Sequence, residues 1–314
     1  MTLALERFDV DGLGERRLSA VRRLVAAGGR GLWLAPIVAA LAVTTLYPTV
    51  FLIALSLSKS SLGSPFRAFV GLDQFGRVLT DPVFLAAIGR SIVYGFVGSA
   101  LQLVAGFAIA LLFSSLIKGG RLLVSLVLLP LMTPPVMVGV AWKLILAPAG
   151  GLLNGWLLAA GIIEAPISFL GTGGWAWLSI GLADFWQWTP FIVILCFAAL
   201  TTLPDGVIEA SVIDGANARQ RLVHIILPAL AAPLASIFVL KLIIAFKLFD
   251  LVYVLTFGGP GFDTTNAGFA IWKHGLQEFD VAQAAAETLI YAVVIGLVTL
   301  PVVKLHAALE RWDT

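Results

Sequence analysis

Thiol and imidazole chemistry are nearly missing from this sequence. The single cysteine, Cys196, excludes an intrachain disulfide and reads as a small buried hydrophobe. The three histidines, His224, His274 and His306, lie far apart beside different apolar runs, a poor supply for a zinc site. No G-x-x-x-x-G-K-[ST] phosphate loop occurs, so the chain does not bind ATP by that route. H-E-x-x-H and G-x-S-x-G are absent too, and no pair of carboxylates recurs at helical spacing within one apolar run. An intramembrane enzyme is therefore unsupported. No catalytic residue, metal or bound cofactor is expected on this chain.

Charge is also scarce. Only 12% of the 314 residues are charged and 60% are hydrophobic, whereas soluble domains carry about 25% charge. The mean hydropathy is +1.00. A spanning helix needs about 20 predominantly apolar residues, and charge-free runs of that order recur along the chain. They predict an all-α integral membrane protein with six spans near 31–57, 91–115, 122–146, 177–201, 229–256 and 283–304. The Gly- and Pro-rich stretch 144–176 (APAGG, GTGG) predicts an external loop with a short interfacial helix near Leu152–Ile163. A seventh span there would break the alternation of sides.

Basic residues set the orientation. With the amino terminus inside, the cytoplasmic segments hold 12 Lys and Arg, including six Arg before residue 31, against five in the outer segments. The positive-inside rule then places both termini in the cytoplasm. Because these residues flank spans, the net charge of +2 is an orientation signal and not a nucleic-acid footprint. The first 30 residues form an Arg-rich cytoplasmic arm with no A-x-A cleavage site, and 31–314 a membrane domain whose first run reads as an uncleaved anchor.

One cytoplasmic loop stands out. Residues 202–228 contain EASVIDGANARQRLVHIILP, a small-residue, charged segment between two greasy runs. Pro204 and Asp205 can start a short helix, with the acid at the positive end of its dipole. Ile208 and Val212 share one face at i and i+4, with Ala210 and Ser211 keeping the profile slim. Gly215, between Asp214 and Ala216, permits a bend with positive φ. A second helical piece carries Arg219 and Arg221, then Ile225 and Leu227, before Pro228 opens the next span. Such a helix–turn–helix suits insertion into a groove on a partner.

This stretch resembles the EAA loop of ABC-importer permeases: E-A-A, three residues, G, nine residues, I-x-L-P. Glu209, Ala210, Gly215, Ile225, Leu227 and Pro228 fall on that pattern without a gap, and Ser211 replaces the third small residue. Residues 128–154, WQWTPF (186–191) and FKLFDLVYVLTFGGPG (246–261) are similar to the binding-protein-dependent sugar permeases of the maltose, glycerol-phosphate and multiple-sugar kind. The similarity covers roughly residues 30 to 310 and is closer to the first permease of such pairs. It implies the transmembrane domain of a type I ABC importer in the bacterial cytoplasmic membrane. The implied partners are a second, non-identical permease, two ATPase subunits that bind ATP and Mg²⁺, and an external solute-binding protein. Glu209 would contact the ATPase, Gly215 would supply the bend, and Ile225–Pro228 would connect rigidly to the fifth span.

Polar groups at bilayer depth normally face a cavity or one another. Gln102, Asp184, Gln187, Lys241, Lys247 and Asp250 are the candidates. Lys247 and Asp250, at i and i+3, either pair on one helix face or meet substrate. Lys143 and Asp184 lie near predicted span ends and are expected to snorkel. Trp186, Trp188, Phe191, Phe246 and Phe249 either pack or stack on sugar faces. The resemblance favours Trp188 and Phe191 beside Pro190 as lining residues, and Lys247 after them. The expected pathway is therefore Gln187, Trp188, Phe191, Phe246, Lys247, Phe249 and Asp250. A secondary transporter or channel for a small polar solute could use the same groups, but has no need of the loop at 202–228.

Overall fold

A computed structural model of the protein describes residues 11–116 and 121–310, with side chains described over 34–114, 127–204 and 206–308. The first ten residues of the Arg-rich arm, residues 117–120 with Lys118, and the last four residues with Arg311 lie outside the described residues.

The chain divides into two units, Met1–Ala54 and Leu55–Thr314. The first unit is nearly all one helix, α1 (Asp11–Ser56). The arm and the expected first span are thus continuous from Asp11. Its apolar stretch begins at Leu34, and Val43 and Tyr47 there are exposed, with Tyr47 stacked on Phe51 at 6.1 Å.

The second unit opens with a feature that an all-α reading does not anticipate. Strands β1 (Ser58–Ser61) and β2 (Ser64–Phe69) form an antiparallel hairpin, and the Leu62 amide donates to the Phe279 carbonyl at 3.1 Å. Next come α2 (Asp73–Thr80), α3 (Pro82–Leu116), α4 (Arg121–Met132), α5 (Pro135–Ile145), α6 (Leu152–Ala159) and α7 (Gly173–Leu200). Then follow α8 (Asp205–Ile213), α9 (Ala218–Arg221), a π-helical turn at Leu222–Ile226, and α10 (Leu227–Ala229). The carboxyl-terminal part holds α11 (Ala231–Phe246), α12 (Ala267–Trp272) and α13 (Val281–Glu310), with π-helical turns at Val252–Thr256 and Lys273–Gln277.

Several helix starts follow from their caps. The Asp81 carboxylate accepts from the Val83 amide at 2.9 Å, with Pro82 at the first position of α3. Asn266 accepts from Phe269 at 2.9 Å to begin α12, and Asp280 accepts from Gln283 at 3.0 Å to begin α13. The short helix α6 sits in the 144–176 loop where one is expected. Asn154 pins it by donating to the Ala147 and Ile167 carbonyls and accepting from the Ile167 amide.

Among the described residues, four helices are long and apolar enough to cross a bilayer, over Leu34–Ser56, Pro82–Ser114, Gly173–Leu200 and Val281–Ala308. A fifth candidate, Ala218–Ala229 with Ala231–Phe246, is bent by 70° at Leu230. Pro228 therefore lies inside the short helix before the bend, and the long apolar helix begins at Ala231. The expected span 122–146 is two helices parted at Thr133 and Pro134, because Pro134 and Pro135 cannot donate back into the preceding turn. The expected span 229–256 stops at Phe246, resumes at Asp250 and runs into the π-helical turn at Val252.

Among the described residues, three clusters form the interior of the second unit. Val78, Phe84, Ala267, Ala286 and Tyr291 join α2, α3, α12 and α13. Val138, Ile180, Leu251, Val252 and Phe269 join α5, α7, the π-helical turn and α12. Ala110, Ile192, Cys196 and Ile237 join α3, α7 and α11. At Gly106 the α3 and α7 backbones come so close that a Cβ would stand 2.6 Å from the Ile192 side chain. Small residues make such approaches possible between membrane helices.

Candidate functional site

Four elements meet at a polar centre: α3, α7, the end of α11, and the break between α4 and α5. Asp184 on α7 is 3% exposed. It accepts from Lys241 Nζ at 3.1 Å and from Gln102 Nε2 at 2.6 Å. Lys241 itself has no exposed surface and also stands 5.5 Å from the Trp188 ring centroid. A lone charge at this depth is costly, and here each charge is compensated by a partner on another helix. Asp184 is therefore not a snorkelling residue. Lys143 is exposed, and its ammonium donates to the Val254 carbonyl at 3.0 Å, within the π-helical turn that follows α11.

Beside this pair lies a cavity of about 190 Å³. Asp184, Gln187, Trp188, Lys247, Phe249 and Asp250 line it, with Pro135 closing one side. Gln187 donates to the Thr133 carbonyl at 3.0 Å, which ties α7 to the α4–α5 break, while its Oε1 is buried without a partner. Pro190 removes one amide from the α7 ladder, so a carbonyl one turn earlier is left free. Phe191 meets Trp188 edge-on at 6.1 Å. Lys247 caps the carboxyl end of α11, a position that favours a cation. Because the helix ends there, Lys247 and Asp250 do not share a helical face, and no ion pair joins them among the described residues. Phe246 stands apart from the lining residues. It is buried against Phe96, over Gly95, where a Cβ would sit 2.7 Å from its ring.

A larger cavity of about 630 Å³ runs between α3 and α7, lined mostly by Val93, Val97, Leu101, Leu178, Leu182 and Phe185. It offers few groups to bind a polar solute.

At the far end of α7 lies the 202–228 segment. Helix α8 follows Pro204 and ends with Asp214 as its cap. Gly215 then takes φ +79°, a left-handed conformation open to glycine at no steric cost. Asn217 and Gln220 form a capping box that starts α9, with bonds of 2.8 and 2.9 Å. Arg221 donates to the Ala216 carbonyl at 3.1 Å and so braces the turn. Glu209, Ala210, Asp214 and Arg219 are exposed, Ser211 is buried with its hydroxyl on the Ile208 carbonyl, and Ile225 and Leu227 are half-buried. Ile208 and Val212 lie one turn apart on α8, Ile208 half-buried and Val212 exposed, and Val207 and Ile213 are exposed beside them, Ile213 at 85%.

Residues 102–312 match the family described as binding-protein-dependent transport system inner membrane component. This chain belongs to that family. It is a multi-pass inner-membrane transport component, not an enzyme. Among its relatives, the trehalose/maltose transport system permease protein MalF of Thermococcus litoralis is 32% identical over 254 residues, covering 81% of this chain and 85% of that protein. The trehalose transport system permease protein SugA of Mycobacterium tuberculosis is 26% identical over 276 residues, 87% of each chain. The fold matches a chain from a bacterial ABC transporter involved in the import of the acidic polysaccharide alginate. There the TM-score is 0.77 at 20% identity, covering 93% of this chain and 99% of that one.

In this permease the expected pathway residues Gln187, Trp188, Lys247, Phe249 and Asp250 share one cavity, Phe191 supports it from behind, and Phe246 does not reach it. Sequence reasoning gives Gln102, Asp184 and Lys241 as polar groups that face a cavity or one another, without naming which pair. It also misses a second polar group at the opposite end of the molecule. Asp81, His274, Gln283 and Glu287 gather there from three segments. The hydrogen bond to Glu287 pushes the His274 imidazole above the usual histidine range.

Proposed function

We propose that this permease forms one half of the translocation pathway of an ATP-driven importer for a carbohydrate. The α8–Gly215–α9 segment is its docking element for ATPase subunits. The observation that carries this reading is the joint presence of an exposed, small-residue helix pair at one end of α7 and a polar, aromatic cavity at its middle. On this reading α4 and α5 together make a sixth span, both termini are cytoplasmic, and the hairpin and the 257–282 segment face outward. A second, homologous permease encloses the other half of the path. A cavity of about 190 Å³ is smaller than the roughly 300–1,000 Å³ of whole small-molecule sites, as befits a half-site. Two ATPase subunits hold ATP and Mg²⁺ below the bilayer, and an external binding protein delivers the solute.

The chemistry suits a saccharide. Trp188 and Phe249 offer ring faces for C–H surfaces, while Gln187, Lys247 and Asp250 offer hydrogen bonds to hydroxyls. Closure of the ATPases would push on α8 and α9, and the short helical run into α11 would carry that motion to Lys247 at the cavity.

Two variants separate the two roles in one uptake assay on the assembled transporter. Glu209→Lys should abolish uptake and release the ATPase while the permease still inserts. Trp188→Ala should raise the half-saturating solute concentration with ATPase docking intact. Normal uptake by Glu209→Lys would remove the coupling role, and unchanged kinetics in Trp188→Ala would remove the stacking role.

A further inference from the structure

The Asp81, His274 and Glu287 group joins the α2–α3 junction, the π-helical turn after α12, and the first turns of α13. Each of the three residues offers one ligand atom, and these atoms all lie within 4.8 Å of one another. Glu287 has no exposed surface. Its Oε1 accepts from Gln283 Nε2 at 2.9 Å and lies 2.6 Å from His274 Nδ1, whereas its Oε2 is buried with no partner. Asp81 and His274 are half-buried.

The charges do not balance. Two carboxylates, Asp81 and Glu287, converge, and Glu278 stands 3.9 Å from His274 Nε2. Lys273 is engaged by Glu278 at 3.6 Å, so His274 is the cationic candidate left among the described residues here. Even a protonated His274 offsets only one of the two converging carboxylates. A buried carboxylate with one oxygen unpartnered is suited to compensation by a further cation.

We propose that Asp81, His274 and Glu287 bind a divalent transition-metal ion of the Zn²⁺ class at the end of the permease remote from α8 and α9. One imidazole nitrogen and two carboxylates match the donors that Zn²⁺ accepts, with water left to complete the shell. Bonds of about 2.0–2.1 Å set tetrahedral ligand atoms roughly 3.4 Å apart. The His274–Glu287 contact would therefore open slightly and Asp81 would approach. Gln283 supports the Glu287 carboxylate from outside the first coordination layer. The ion would add a polar fastening to three segments that also pack through the cluster around Phe84 and Ala286. Its occupancy does not depend on which solute the permease carries.

The test uses the full-length permease in lipid nanodiscs, stripped with EDTA, with Zn²⁺ as the probe. One saturable Zn²⁺ equivalent should bind by calorimetry, raise the melting temperature, and resist competition by Ca²⁺, which has little use for an imidazole. Co²⁺ in its place should give a visible absorption spectrum. His274→Gln and Glu287→Gln should lose binding, and the milder Gln283→Ala should weaken it about 10–100-fold. If a ligand variant fails to fold, the Co²⁺ spectrum of the wild type and the Gln283→Ala affinity still decide. No saturable binding by wild type, or binding of equal strength in Gln283→Ala and whichever ligand variants fold, would overturn the site.

Discussion

Lys241 has no exposed surface, and its ammonium is shared between the Asp184 carboxylate and the face of Trp188. Removing one member of such a pair leaves a buried charge without compensation, at a cost of roughly 3–5 kcal/mol. Lys241→Met should accordingly lower the melting temperature sharply. The double variant Lys241→Met with Asp184→Asn removes both charges and should recover most of the loss. A single variant that melts like wild type would show that Asp184 is held by other means. Neither partner reveals the other in the sequence, because 57 positions separate them and helical periodicity gives a face without its neighbour. Proximity to a predicted span end misleads about Asp184 for that reason: the helix turns it toward α3 and α11. His274 looks isolated in the sequence because only near neighbours are visible there, while Asp81 approaches it from the distant α2–α3 junction.

Elements are legible where local chemistry sets their ends. Pro204, the D-G pair at Asp214–Gly215, and the Asn217–Gln220 capping box delimit α8 and α9 without help from the rest of the molecule. Gly215 has open space where a Cβ would stand, so a substitution there meets only the backbone penalty of φ +79°. Gly215→Val should cost about 1–2 kcal/mol locally and loosen the turn. Hydrogen exchange over 205–229 should rise, and uptake should fall while the melting temperature of the spans holds. Unchanged exchange would mean that the turn does not depend on the left-handed residue. The end of α11 is not legible, since Phe246–Asp250 contains neither Pro nor Gly. Tertiary contact decides it: Asn266 Nδ2 donates to the Leu248 carbonyl and takes that group out of the helical ladder. The hairpin at 58–69 is hidden because short polar strands show no apolar alternation, and β2 leaves Phe69 80% exposed.

On the scale of the whole molecule, the two candidate sites occupy different levels of one scaffold. Helix α7 carries Asp184, Gln187 and Trp188 at its middle and passes directly into the α8–α9 segment at its end. Helix α11 takes up the chain after that segment and ends at Lys247 on the cavity. A push on α8 and α9 therefore has two covalent routes to the lining residues, one through each helix. The paired proline break between α4 and α5 meets the same cavity through Gln187 and Thr133, and gives it a wall that is not a continuous helix. Composition and charge asymmetry make the membrane class legible from sequence alone. The family match over residues 102–312 secures the transport class. The solute depends on side chains gathered at the cavity from α7 and the segment after α11, which the sequence names without placing together.

The most direct test of the coupling account is co-purification. The tagged permease would be co-expressed with the genes flanking its own, extracted in mild detergent, and the eluate identified by mass spectrometry with ATP hydrolysis measured on the same sample. A second permease and an ATPase should appear in the eluate, with hydrolysis that disappears in Glu209→Lys. A well-folded permease that elutes alone, without hydrolysis, would contradict this coupling.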